Sequence, residues 1–158
     1  MPVLQRQSQK KYSSMIQFKR NNNNPILKPD LKNSWEQQAV FNPSVVKDHI
    51  YHMVYRALSN SSLSTIGYAE SIDGVNFEKR RLLIKPELSY EKFGCEDPRI
   101  TKIDNEYYIF YTALSEYPFT PSGIKIGLAR FSDFSTAPEK NLVTPFNSKA
   151  MTLFPQKI

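Results

Sequence analysis

Glu96 and Asp97 stand side by side in the run Gly94-Cys95-Glu96-Asp97-Pro98-Arg99-Ile100, just ahead of the aromatic stretch Glu106 to Ala113. An adjacent carboxylate pair at the mouth of a strand suits general-acid chemistry. Burial, or a like charge next door, keeps a carboxyl protonated near neutral pH and able to hand a proton to a leaving group. The plainer reading is that one carboxylate caps a turn while the other pairs with Arg99 at the surface. Arg56 ends an otherwise apolar strand, Met53 to Ala57, so its planar fork of donors must meet an anion or stay solvated at a rim. That anion is either Glu96 or Asp97 in a salt bridge, or a phosphate or substrate oxygen. Lys149 joins the same cluster on the functional reading and is an ordinary solvated lysine on the plain one.

Other chemistry is poorly represented. His49 and His52 are three apart on a predicted strand, so they point to opposite faces and cannot chelate one metal as a local pair. Cys95 is the only cysteine, which leaves no internal disulfide or cysteine metal site; no metal is expected. Tyr55, Tyr107, Tyr108 and Tyr111 read as core or sheet residues, with sugar stacking by one or two as the alternative. A Gly-rich phosphate loop, a serine nucleophile elbow and a zinc motif are all missing.

The elements that position these residues repeat. Asn42-Pro43-Ser-Val-Val-Lys precedes the strand Ile50 to Ala57, Asp97-Pro98-Arg-Ile-Thr-Lys precedes Glu106 to Ala113, and a third copy opens at Phe154-Pro155-Gln-Lys-Ile158. Thr65-Ile-Gly-Tyr-Ala69 likewise matches Lys125-Ile-Gly-Leu-Ala129. Units of roughly 50 residues with about four short strands each are the signature of propeller blades. The alternation of apolar and polar residues predicts strands through Val45-Val46, Tyr51 to Tyr55, Ile66 to Ala69, Phe77 to Arg81 and Leu82 to Ile84. Asp73-Gly74 marks a tight turn, Pro86 to Gly94 a polar loop, and Pro25 to Pro29 an extended entry segment. No amphipathic helix of normal length is predicted, so the fold class is all-β, a partial β-propeller of about two to three blades.

The net charge of +6 is a feature of one end. Arg6, Lys10, Lys11, Lys19, Arg20 and Lys28 all precede the first acid, Asp30, and the remaining chain carries fifteen basic and fifteen acidic residues. Residues 1–24 therefore read as a disordered basic tail, and residues 25–158 as the propeller domain with the catalytic residues. Specific nucleic-acid binding is not expected of a neutral body. The tail has no apolar signal region and no stretch of the chain is long and apolar enough to span a membrane, which points to a cytoplasmic protein.

Five segments, in order, carry a resemblance: Phe41 to Val46, Met53 to Ala57, Ile66 to Phe77, Gly94 to Ile103 and Lys149 to Ile158. From about Asn24 onward the chain resembles glycoside hydrolase family 130, the β-1,4-mannoside phosphorylases and related β-mannosidases, five-bladed β-propellers. The resemblance implies phosphorolysis of a β-mannoside with inversion, inorganic phosphate being the co-substrate and α-mannose 1-phosphate the product, with no other cofactor. Asp97 matches the family's general acid, which acts through a sugar hydroxyl. Arg56 and Lys149 match phosphate-binding residues, and Asn42 and Ser44 fall where the family lines the sugar site. Glu96 and Arg99, in the same motif, would shape that site. The chain departs from the family in stopping soon after its third repeat opens. It is accordingly expected to be the N-terminal half of such an enzyme, truncated at the C-terminus, or a relative that completes its ring as a homo-oligomer. The alternatives are a hydrolytic β-mannosidase and a non-catalytic truncated propeller that binds carbohydrate or a partner protein.

Overall fold

A computed structural model of the chain describes residues 17–156. Arg6, Lys10 and Lys11 of the expected tail, and Lys157 and Ile158 of the third repeat, lie outside the described residues. Among the described residues, eight strands form two antiparallel four-stranded sheets, each in simple meander order. The first sheet contains β1 (Ala39–Lys47), β2 (Tyr51–Leu58), β3 (Ser64–Ser71) and β4 (Glu78–Ile84), and the second β5 (Gly94–Ile103), β6 (Glu106–Leu114), β7 (Ile124–Phe131) and β8 (Glu139–Leu142). These are the two blades read from the repeat; residues 143–156 add no further strand. Among the described residues the only helical pieces are two three-residue 3-10 turns, Ser89–Glu91 and Pro121–Gly123.

The strands follow the alternation in the sequence. Val54, Ile66, Tyr68 and Ile84 of the first blade pack against Tyr107, Ile109, Tyr111 and Phe131 of the second, forming the inter-blade core. The opposite face of the first blade presents Met53, Tyr55, Ala57 and Ala69, and is covered by Ile26, Leu27, Trp35 and Val40 of the entry segment and β1. The predicted turn at Asp73-Gly74 joins β3 to β4. Asp73 Oδ1 accepts the backbone N–H groups of Val75 and Asn76, both at 2.8 Å, while Gly74 supplies φ +75°. Those backbone donors hold the Asp73 carboxyl well below the usual range.

Each blade carries the same buried polar device, which the strand pattern alone does not reveal. In the first, the hydroxyl of Tyr55 (β2) donates to Glu36 at 2.9 Å, and Arg80 (β4) reaches the same carboxylate at 3.3 Å. In the second, the hydroxyl of Tyr111 (β6) donates to Glu91 at 2.5 Å and Lys140 (β8) at 2.7 Å. Both glutamates are fully buried. The tyrosine rings pass close to Gly67 and Gly127, where a Cβ would sit 2.5 Å and 2.3 Å from ring carbons. This explains the glycine of the repeated Ile-Gly pair: no larger residue leaves room for the tyrosine.

The two histidines do not share a strand as expected. β2 begins at Tyr51, so His49 falls in the exposed turn before it, and only His52 lies on the strand. His52 sits in the seam between blades. Its Nδ1 is 2.5 Å from the Tyr68 hydroxyl, and its ring is 5.4 Å from Tyr107 and 5.2 Å from Phe134. Burial pulls its pKa down; Glu70 and Asp48 oppose this, while Lys102 and Arg81 reinforce it. A folded-state pKa below the unfolded value means that stability is lost as pH falls below about 6.5. The melting temperature is expected to fall between pH 7.5 and 5.5, and His52→Phe should flatten that slope. An unchanged slope in the variant would remove His52 from the account.

Candidate active site

Both blades place a β-bulge at the same point of their first strand. Register slips between Phe41 and Ser44 in β1, and between Glu96 and Arg99 in β5. At the bulge tips Asn42 and Asp97 adopt φ 48° and 50°, a conformation that asparagine and aspartate tolerate better than other side chains. A bulge on an edge strand re-aims its side chain out of the sheet alternation. Here the two tips converge, and Asn42 Nδ2 donates to Asp97 Oδ1 at 2.6 Å.

Arg56 enters from β2, directly across from Phe41. Its guanidinium carbon lies 4.8 Å from the Phe41 ring centroid. Nε donates to Ser64 Oγ at 3.1 Å, Nη2 pairs closely with Glu96, and Nη1 faces Asp97 Oδ1 at 3.5 Å. Ser64 in turn donates to Glu96 at 3.2 Å. Lys149 brings its ammonium to 3.9 Å from the other oxygen, Asp97 Oδ2, and stays more than half exposed. Asp97 is thus flanked by one amide and two cations. Glu96, buried, is occupied by Arg56 and Ser64.

Of the seven residues singled out by sequence, five meet here: Asn42, Arg56, Glu96, Asp97 and Lys149. Two make other contacts. Ser44 Oγ accepts the N–H of Ile100 at 3.1 Å, tying β1 to β5, and Arg99 donates to the carbonyl of Pro98 at 2.8 Å rather than pairing with a neighbouring carboxylate. Sequence reasoning missed the parts played by Ser64 and Phe41. Phe41 becomes visible once the β1–β2 register is drawn, since it is the cross-strand partner of Arg56; Ser64 carries no comparable signal. Among the described residues no cluster of three or more His, Cys, Asp or Glu could hold a metal. Cys95 is buried, and burial pushes its thiol well above the ordinary range.

Comparison with known proteins bears on the family and the fold. The family model described as β-1,4-mannooligosaccharide phosphorylase matches residues 10–158, reaching back into the expected tail. A 1,2-β-oligomannan phosphorylase of Thermoanaerobacter is 35% identical over 153 residues, covering 91% of this chain and 51% of that protein. A β-1,2-mannobiose phosphorylase of the same organism is 42% identical over 113 residues, covering 62% of this chain and 37% of that protein. Among solved structures, a putative glycoside hydrolase from Parabacteroides distasonis superposes with a TM-score of 0.60 at 26% identity, over 78% of this chain and 40% of the other. The chain spans about half the length, or less, of the curated relatives it matches.

Proposed function

The chain belongs to glycoside hydrolase family 130, and on that premise we propose that it supplies the acid and part of the phosphate seat of a β-mannoside phosphorylase. The observation that carries this is the company Asp97 keeps. Two cations, Arg56 and Lys149, stand beside it, and the neighbouring carboxylate Glu96 is already engaged by Arg56. An inverting hydrolase needs a second carboxylate free to activate water. Phosphate arrives as an anion and needs cations instead.

In the proposed reaction a phosphate oxygen, seated between Arg56 and Lys149, attacks the anomeric carbon from the face opposite the leaving sugar. The C1–O bond breaks with inversion. The departing oxygen takes a proton that comes from the Asp97 carboxyl by way of a sugar hydroxyl. The products are α-mannose 1-phosphate and a mannoside shorter by one residue. Asn42, hydrogen-bonded to Asp97, orients the acid. The names of the curated relatives, both for β-1,2 linkages, favour a β-1,2-mannoside over the β-1,4 linkage of the family description.

The test is to incubate the protein with β-1,2-mannobiose with and without inorganic phosphate and follow mannose 1-phosphate by phosphorus NMR. Phosphate-dependent formation is expected, and β-1,4-mannobiose should react more slowly. Release of free mannose at a rate indifferent to phosphate would replace this reading with hydrolysis. Saturable binding without cleavage would replace it with a non-catalytic carbohydrate-binding role.

A further inference from the structure

The blade fold does not itself call for an arginine at position 56. The corresponding residue of the second blade is Thr112, which follows Tyr111 as Arg56 follows Tyr55. The first blade surrounds its arginine with groups that control how the guanidinium is turned. We propose that Ser64 and Phe41, with Glu96, are positioning residues that hold Arg56 in the orientation that receives phosphate. This inference rests on the phosphorylase reading and deepens it.

An arginine offers five N–H donors in one plane, and here three contacts fix that plane. Ser64 Oγ takes the Nε edge, Glu96 takes Nη2, and the Phe41 ring covers one face. The third nitrogen, Nη1, is 3.5 Å from Asp97, too far for a strong hydrogen bond. Its donors are therefore the ones available to an incoming oxyanion. Ser64 is the hinge of the arrangement, because one hydroxyl accepts from Arg56 and donates to Glu96. Without that acceptor Nε loses its partner, and the fork can turn about its own stem. Glu96 is then the arginine's resident counter-ion, so phosphate competes with Asp97 for Nη1 and leaves the Glu96 pair intact.

The experiment is initial-rate kinetics with phosphate and β-1,2-mannobiose varied independently, on the wild type, Ser64→Ala and Phe41→Leu. Ser64→Ala is expected to raise the KM for phosphate about tenfold, the usual scale for losing a hydrogen bond to a charged group. The mannoside KM and the kcat at saturating phosphate should stay within about twofold. Phe41→Leu should act in the same direction, more weakly, and it carries the test if Ser64→Ala fails to fold. In an Arg56→Lys background, which has no Nε–H edge, adding Ser64→Ala should change the phosphate KM no further. Equal rises in both KM values, or an undiminished effect of Ser64→Ala in the Arg56→Lys background, would overturn the positioning role while leaving the phosphorylase intact. A wild-type protein that makes no mannose 1-phosphate would overturn both.

Discussion

Replacing Asp97 by asparagine is expected to lower phosphorolysis of β-1,2-mannobiose by roughly a thousandfold, within the range for removal of a general acid, and to leave the fold intact. The fold should survive because the chain contains its own control. Asn42 occupies the matching bulge tip of the first blade at φ 48°, and Asp97 sits at φ 50°, so an asparagine at 97 inherits a backbone it is known to accept. Alanine would add the cost of a strained left-handed residue, about 1 kcal/mol or more, and blur the result. An asparagine can still turn its carbonyl oxygen toward the Asn42 amide and the cations, so what it removes is the transferable proton. An aryl β-mannoside with a good leaving group needs little protonation and should lose far less rate than mannobiose. Turnover of mannobiose within about tenfold of wild type would strip Asp97 of the acid role.

Why this site could be found in the sequence follows from how it is built. The two bulges are marked by Asn42-Pro43 and Asp97-Pro98, and the tips lie 55 residues apart, so an internal alignment places them together before any coordinates exist. Arg56 is legible because an arginine is out of place in an apolar strand. Lys149 is legible only as the lysine ahead of the third repeat, where a solvated side chain reads as well as a site residue, and its loose approach to Asp97 fits that weak signal. Ser44 and Arg99 show the limit of motif reasoning. Both flank the bulges, but the bulge re-aims only its tip, and their side chains go to backbone groups of β5.

The buried glutamates were missed for a different reason. Glu36 lies in a turn and Glu91 in the 3-10 turn Ser89–Glu91, ahead of the first strand of each blade, where no alternation exists to say what is buried. Glu91 even falls inside the stretch read as a polar loop. The signal was present in the repeat, since they are separated by 55 residues like the bulge tips. What hides them is chemistry: a glutamate is presumed exposed unless a partner is known. The partners, Arg80 and Lys140, arrive from the fourth strands, where the repeat is weakest.

Those partners make the second large expectation one of stability. Glu91→Ala should destabilise the protein by about 3–5 kcal/mol, the scale for stranding the surviving half of a buried ion pair. That is a large part of the 5–15 kcal/mol typical of a folded domain. In the native protein Lys140 is almost wholly covered, its side chain 7% exposed. Burial pulls the Lys140 pKa down, but its hydrogen bonds to Glu91 and Glu87 outweigh this and the net shift is upward. Removing Glu91 leaves that ammonium with Glu87, itself half exposed, as its remaining counter-ion and with the Lys85 carbonyl, at 2.8 Å, as a neutral acceptor. It also leaves the Tyr111 hydroxyl and the backbone N–H groups of Glu87 and Leu88 without their acceptor. Glu91→Gln keeps an acceptor oxygen and should cost less than the alanine. Glu36→Ala, which strands Arg80 and Tyr55 in the first blade, should cost a comparable amount if the device is a true structural repeat. Urea unfolding of the three variants decides the matter. A loss below about 1 kcal/mol for Glu91→Ala would mean that Glu87 and water replace it, making the buried pair a specifier of blade register rather than a source of stability.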